Sequence, residues 1–155
     1  MVHLVYCDNE GKKSNHVLDR ILSGKKTMII RSAAGRKIPH SRVFENETLY
    51  FMEKGTADVS AQATVINVHN FVKLSEDEIN RVFSDNEEKL SLSDKQKTRW
   101  HKKCICLVEF AQVKKIEPPL KFMKQNNMDD WLIIDKIEDV LVGTSIPYNY
   151  DKSKF

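Results

Sequence analysis

The apolar positions of the chain change their period several times, and each change marks an element. Residues 2–6 (VHLVY) form an apolar, β-rich run closed by the turn chemistry of residues 8–15 (DNEGKKSN), which predicts a first strand. Val17, Leu18, Ile21 and Leu22 then fall at i, i+1, i+4 and i+5. They make one face of a short helix, capped by Ser14 or Asn15 and stopped by Gly24. Residues 27–31 (TMIIR) read as a short buried strand. Residues 32–46 (SAAGRKIPHSRVFEN) have no period and carry Gly and Pro, so they read as a loop. Residues 47–52 (ETLYFM) predict a strand and residues 53–58 a turn. Residues 61–74 (AQATVINVHNFVKL) predict a long strand with a bend or bulge.

In the second half, Ser75 with Glu78 three residues on forms a capping box, and Ile79, Val82 and Phe83 give its helix an apolar stripe. Ser93 with Gln96 repeats the signal and starts a helix running toward Trp100. Residues 104–116 (CICLVEFAQVKKI) are the clearest strand, with Cys104, Cys106, Val108 and Phe110 on one face and Ile105, Leu107 and Glu109 on the other. Pro118-Pro119 is expected to stop it. A short turn or helix near residues 122–126 follows, and residues 131–135 (WLIID) and 139–143 (DVLVG) are candidate closing strands. The tail, 146–155, is weakly specified. Long strands outnumber crossover helices, so a small mixed barrel or curved sheet with helices at its ends fits better than a doubly wound parallel sheet.

Composition narrows the class. At 155 residues one domain is expected. Lys plus Arg number 25 against 22 for Asp plus Glu, a net charge of +3, which permits contact with a phosphate backbone without demanding it. Three cysteines, Cys7, Cys104 and Cys106, make an odd count, and the opening residues have neither the length nor the flanks of a secretory leader. No apolar run approaches the ~18 residues of a membrane helix. A cytoplasmic protein with no membrane contact is expected, with its oligomeric state open.

Charge is unevenly placed. Lys25, Lys26, Arg31, Arg36, Lys37, His40 and Arg42 lie within 18 residues, and no acidic residue occurs between Asp19 and Glu45. Such a run makes a local field suited to phosphate or another anion; it equally suits a solvated loop packed against an acidic surface such as residues 76–78. Trp100 sits among Arg99, His101, Lys102 and Lys103, where it could stack a base beside phosphate-binding cations or anchor its own helix in the core. The Cys104-x-Cys106 pair with His101 lacks the second pair a structural zinc site uses, so no metal is expected, and no cofactor motif is present. His3, His16 and His69 are scattered. Thr27 beside Lys26 is a candidate activated hydroxyl of weak specificity.

Residues 24–31 (GKKTMIIR) resemble the signature of the ASCH families, in the PUA-like superfamily of small RNA-associated β-barrels. That signature is a short helix, then Gly-x-Lys-x-x-Glu-x-Arg running into a strand, and Gly24, Lys26 and Arg31 match it. The order of later elements is similar, over about residues 2–116, and in layout the chain looks most like a mainly archaeal branch of the superfamily. The resemblance implies an α+β fold: a PUA-like mixed β-barrel of about five to six strands with short helices at its ends. Residues 117–155 would form a C-terminal extension to this single domain.

The chain departs from the signature at Ile29, where ASCH proteins carry the glutamate. In a related bacterial family that hydrolyses acetylated cytidine, the same position looks to hold the threonine nucleophile, working with the lysine. Ile29 can neither attack nor move a proton, and Thr27, a neighbour of the retained Lys26, is not expected to substitute for position 29. Glu87 and Glu88 are the candidate counterparts of that family's acidic partner. The expectation is therefore a protein that binds RNA or a nucleotide-like ligand in a basic cleft. Lys26, Arg31, Arg36, Lys37 and Arg42 would supply the charge, and Tyr50 or Trp100 the stacking surface. Two alternatives stand: a small hydrolase, amidohydrolase or nuclease, using Lys26 and Thr27 on modified nucleosides or RNA, and a protein-interaction module. Lys26 and Arg31 are five residues apart, so they share a cleft only if Lys26 precedes the strand or the strand bulges.

Overall fold

Strand β5 (Cys104–Lys121) organises the molecule, because both of its faces are apolar where it begins. Cys106, Val108 and Phe110 enter one core with Ile29, Phe51, Val65 and Trp131. Ile105 and Leu107 enter a second core with Met28, Ile30, Ile79, Leu90 and Trp100. A strand alternates its side chains, so one strand supplies both layers. Strand β2 (Met28–Ala33) pairs antiparallel with it, Ile29 opposite Val108 and Ile30 opposite Leu107, and divides the same way.

The computed structural model describes residues 1–9, 16–125 and 130–148. Within them, β1 (Val2–Cys7), β2, β3 (Thr48–Glu53), β4 (Asp58–Phe71), β5 and β6 (Trp131–Ile134) form one sheet in the order β2-β5-β4-β3-β1-β6. Only β1 and β3 pair in parallel; the other neighbours are antiparallel. The sheet curls into a half-barrel, and short helices complete an α+β fold. The curl has a local cause. The β4–β5 register shifts at Val59/Ala61, Gln62/Thr64 and Val65/Asn67, and each bulge bends and twists the strand that carries it.

Helix α1 (Val17–Leu22) buries Val17, Leu18 and Ile21 in the interior core, and Gly24 follows it at φ +80°, a backbone conformation glycine adopts without a Cβ penalty. Its cap position is His16; Ser14 and Asn15, the residues expected there, lie outside the described residues. Helices α2 (Glu76–Asp85), α3 (Glu87–Leu90) and α4 (Asp94–Trp100) cover the second core. Both capping boxes form: the Ser75 hydroxyl accepts from the Glu78 amide at 3.2 Å, and the Ser93 hydroxyl from the Gln96 amide at 3.2 Å.

Two expectations are corrected in the last third of the chain. Pro118-Pro119 does not end β5, which runs on to Lys121. Lys115 pairs with Ala61 and Leu120 with Val59, so the prolines sit in the intervening bulge, where no ladder partner needs their missing N–H. Residues 131–134 form the expected strand, β6, which closes on β1. Residues 139–143 do not form another: Ile137–Val140 is a 3-10 helix, followed by a single bridge from Leu141 to Phe122. No helix among the described residues is long and apolar enough to cross a membrane.

The Ser93 cap fixes the start of the helix that carries Gln96 and Trp100. Ser93→Ala is expected to cost about 1 kcal/mol, read as a lower urea midpoint with an unchanged slope.

Candidate functional site

Strand β2 begins at Met28, so Lys26 lies ahead of it and escapes its alternation. The Lys26 amide is fixed to the Arg20 carbonyl at 3.1 Å, which turns the side chain inward. Lys26 is 3% exposed, and its Nζ donates to the Leu90 carbonyl at the end of α3. Arg31, in mid-strand, faces the interior. Its Nη2 donates to the Tyr6 carbonyl and its Nη1 to the Ile30 carbonyl, both at 2.9 Å. Its guanidinium carbon lies 5.1 Å from the Trp100 ring and 5.7 Å from the Trp131 ring. Its Nε is buried and meets no hydrogen-bond acceptor.

Lys26 and Arg31 line one small cavity with Cys7, Asp8, Gln96 and Trp100. The space left is about 10 Å³, room for about one water. The lid is the α3–α4 segment. It is held by Lys26 to Leu90, by Arg20 to the Ser91 carbonyl, by the Ser32 hydroxyl to the Trp100 carbonyl at 2.6 Å, and by the Thr27 amide to the Lys89 carbonyl at 3.0 Å. Ionic contacts add to this latch. Arg99 Nη1 reaches both Asp8 oxygens at 2.9–3.0 Å and its Nη2 reaches Asp130 at 2.7 Å, while Lys54 binds the same two carboxylates at 3.1 Å.

The electrostatics follow from burial. Desolvation, helped by the neighbouring charge of Arg31, pushes the Lys26 amine from 10.5 down to about 7. Burial would raise the Asp8 carboxyl, but Lys54 and Arg99 hold it below its ordinary value. Burial raises the Cys7 and Cys106 thiols to about 12, so neither is a thiolate at neutral pH. The cavity thus combines an amine that is neutral in a large fraction of molecules, a fixed guanidinium and a carboxylate.

The other expected residues are dispersed. Thr27 is half-buried and absent from the cavity lining; its backbone, not its hydroxyl, is engaged, tying β2 to Lys89 and Phe110. Ile29 lines the cavity and enters the interior core. Trp100 is 9% exposed, a wall of the cavity with Arg31 and Arg99 against its faces rather than an open stacking platform. Tyr50 packs with Leu4, Val59 and Leu132 in a third cluster that holds none of the cavity residues. Arg36 and Lys37 are exposed in the loop after β2 and Arg42 is half-buried; none of the three lines the cavity. His40 is buried against the Phe71 carbonyl. Glu87 and Glu88 are exposed, Glu87 pairing with Lys97 beside a groove of about 620 Å³ between α2 and α4 that excludes Lys26. Among the described residues no cluster of His, Cys, Asp or Glu could hold a metal.

Asp8, Gln96, Arg99, Asp130 and Trp131 complete the surroundings of the cavity without a motif to announce them. Asp8 carries the one signal available: it directly follows the first strand, a place from which loops present functional side chains. Trp131 is oriented by a buried relay, its Nε1 donating to His3 Nδ1 at 3.0 Å while His3 Nε2 donates to Glu47 at 2.9 Å.

The arrangement of strands and helices is similar to that of solved ASCH structures. The solved structure of ASCH from Zymomonas mobilis is similar over 77% of this chain and 73% of that one, with a TM-score of 0.57 and 16% identity. Two single-site mutants of the same Zymomonas mobilis protein are similar at TM-score 0.56 and 15% identity, over 77% of this chain and 73–75% of theirs. The fold is therefore ASCH-like. No family model and no curated protein matches the sequence.

The Lys26 amine titrates near 7 in the fold and near 10.5 when exposed, so between those values the unfolded chain binds more protons and stability rises with pH. Above pH 9 the raised thiols of Cys7 and Cys106 work the other way, because the unfolded chain loses their protons first. Between pH 7 and 9, urea unfolding is expected to show stability rising by up to about 1.4 kcal/mol per pH unit. Lys26→Met is expected to flatten that rise.

Proposed function

We propose that the protein binds RNA or a nucleotide-like ligand at the Lys26–Arg31 cavity. The observation that carries this reading is Arg31. It is a permanent charge whose Nε lacks an acceptor, on a side chain that lines a space shared with an amine donor. A carbonyl or phosphate oxygen placed there would satisfy that donor, and Trp100 and Trp131 offer aromatic surface beside it. At about 10 Å³ the cavity admits no base while closed, so binding requires the α3–α4 segment to move and its contacts with Asp8 and Asp130 to open. An ASCH-like fold and a basic loop after β2 are consistent with an RNA ligand. On this reading the protein would act as a single domain in the cytoplasm.

A second reading has its own support. The near-neutral Lys26 amine beside Asp8 is a group able to accept a proton from water at pH 7, as a small amidohydrolase acting on modified nucleosides requires. Ile29 supplies no nucleophile, so water would be the attacking group in that case.

Binding of labelled single-stranded RNA and of nucleosides to wild type, Lys26→Met and Arg31→Lys tests both readings. The first expects wild-type binding and losses of about tenfold or more in each variant, since each loses a hydrogen bond to a charged group. Turnover of acetylated cytidine by wild type, lost in Lys26→Met, would replace it with the hydrolase. Wild type that neither binds nor turns over these ligands would overturn both.

A further inference from the structure

Strand pairing brings three separate loops to one end of the sheet. Ala33, the last residue of β2, pairs with Cys104, the first of β5, and Phe71, the last of β4, pairs with Ile105. The loops that leave β2 and β4 and the segment that enters β5 therefore emerge side by side. They carry Arg36 and Lys37, Lys73, and Lys102 and Lys103, all exposed. The backbone locks the arrangement: the Leu74 amide donates to the Lys103 carbonyl at 3.0 Å, and the Lys102 amide to the Trp100 carbonyl at 2.9 Å. Lys73, Lys102 and Lys103 form no ion pair with any described residue. Glu76, on the helix that follows, is drawn to His101 at 3.3 Å. Lys73 also holds φ +52°, a conformation that glycine or asparagine adopts at lower cost.

We infer that this three-loop end is a phosphate-backbone contact surface for single-stranded RNA, distinct from the cavity and continuous with it. The inference rests on the reading of the cavity as a site for RNA or a nucleotide-like ligand. Neighbouring strands lie about 4.8 Å apart, so the three loop ends span about 10 Å, a short row of cations that successive phosphates of one strand can follow. Lysine ammonium groups are point charges that position a backbone and do not read base edges, so the contact is independent of sequence. Two observations favour RNA over an acidic protein. Ala33 is two residues, about 7 Å, beyond Arg31 on the same strand, and Lys102 is tied to Trp100, the cavity wall. A strand lying across these loops would bring one nucleotide to the cavity mouth.

The test is the salt dependence of binding to a labelled single-stranded RNA, for wild type and for a variant combining Lys73→Gln, Lys102→Gln and Lys103→Gln. Each phosphate contact on a single strand contributes about 0.7 to the slope of log K against log salt, so the triple variant should lose about 2 from that slope. Its unfolding midpoint should be unchanged, because all three side chains are exposed. A triple variant that retains the wild-type slope would overturn this surface while leaving the cavity reading intact. Polyglutamate competing as well as RNA of equal charge would assign the surface to an acidic protein and overturn the RNA contact. Wild type that binds no RNA would overturn the surface and the RNA reading together.

Discussion

A guanidinium inside a protein must be accommodated, because it cannot shed its charge at any ordinary pH. Arg31 imposes that requirement on every element around it. Strand β1 turns the Tyr6 carbonyl toward it, β6 supplies Trp131, and α4 supplies Trp100. His3 holds Trp131 through its indole N–H and is itself held by Glu47, so the relay reaches the loop before β3. The carboxylates of Asp8 and Asp130 lie near enough to favour the charge, and Arg99 and Lys54 fix them in place. The first strand, the helical segment and the closing strand converge on one side chain. Such polar convergence specifies an arrangement that apolar packing alone leaves open.

The basic run from Lys25 to Arg42 is one feature of the sequence and several features of the structure. Lys26 goes inside, where it loses much of its charge, and Arg31 is half-buried between Trp100 and Trp131. His40 caps a strand end from a buried position, while Arg36 and Lys37 remain exposed. The run therefore divides between two kinds of electrostatics. Buried groups act over hydrogen-bond distances, and exposed ones set a field that reaches about a Debye length, ~8–10 Å in physiological salt. Local sequence cannot make that division. It depends on where β2 starts, which sets Lys26 outside the alternation and Arg31 within it.

What could be read from the sequence was whatever one segment decides alone. Ser75 with Glu78, Ser93 with Gln96, the helix stop at Gly24 and the alternation of β5 each depend on neighbours a few residues away. The bulges of β4 were foreshadowed by its length. The course of β5 through Pro118-Pro119 was not, because whether a proline ends a strand depends on the partner strand, and here Val59 and Ala61 leave the bulge unpaired. The ring of Asp8, Arg99 and Asp130 was hidden for a related reason. Asp8 and Arg99 stand 91 positions apart, and only the folded chain joins them. A core position for Trp100 was one of two readings the sequence allowed, and the ring lies buried against Arg31.

Ile29 gives the cavity its particular character. In the ASCH signature that this segment resembles, a glutamate holds the position. A carboxylate beside a buried lysine would favour the ammonium form and keep its pKa high. Ile29 gives Lys26 no such partner, and desolvation is then the largest influence on the amine. Asp8 is the nearby carboxylate, but its oxygens are committed to Arg99 and Lys54, so it offsets the loss only weakly. With isoleucine at position 29 the cavity wall carries no ionisable group there, and the Lys26 amine is governed first by desolvation and then by Arg31. The same residue extends the interior core through its contact with Val108 and its neighbours, so the chemistry and the packing at position 29 have a common physical origin.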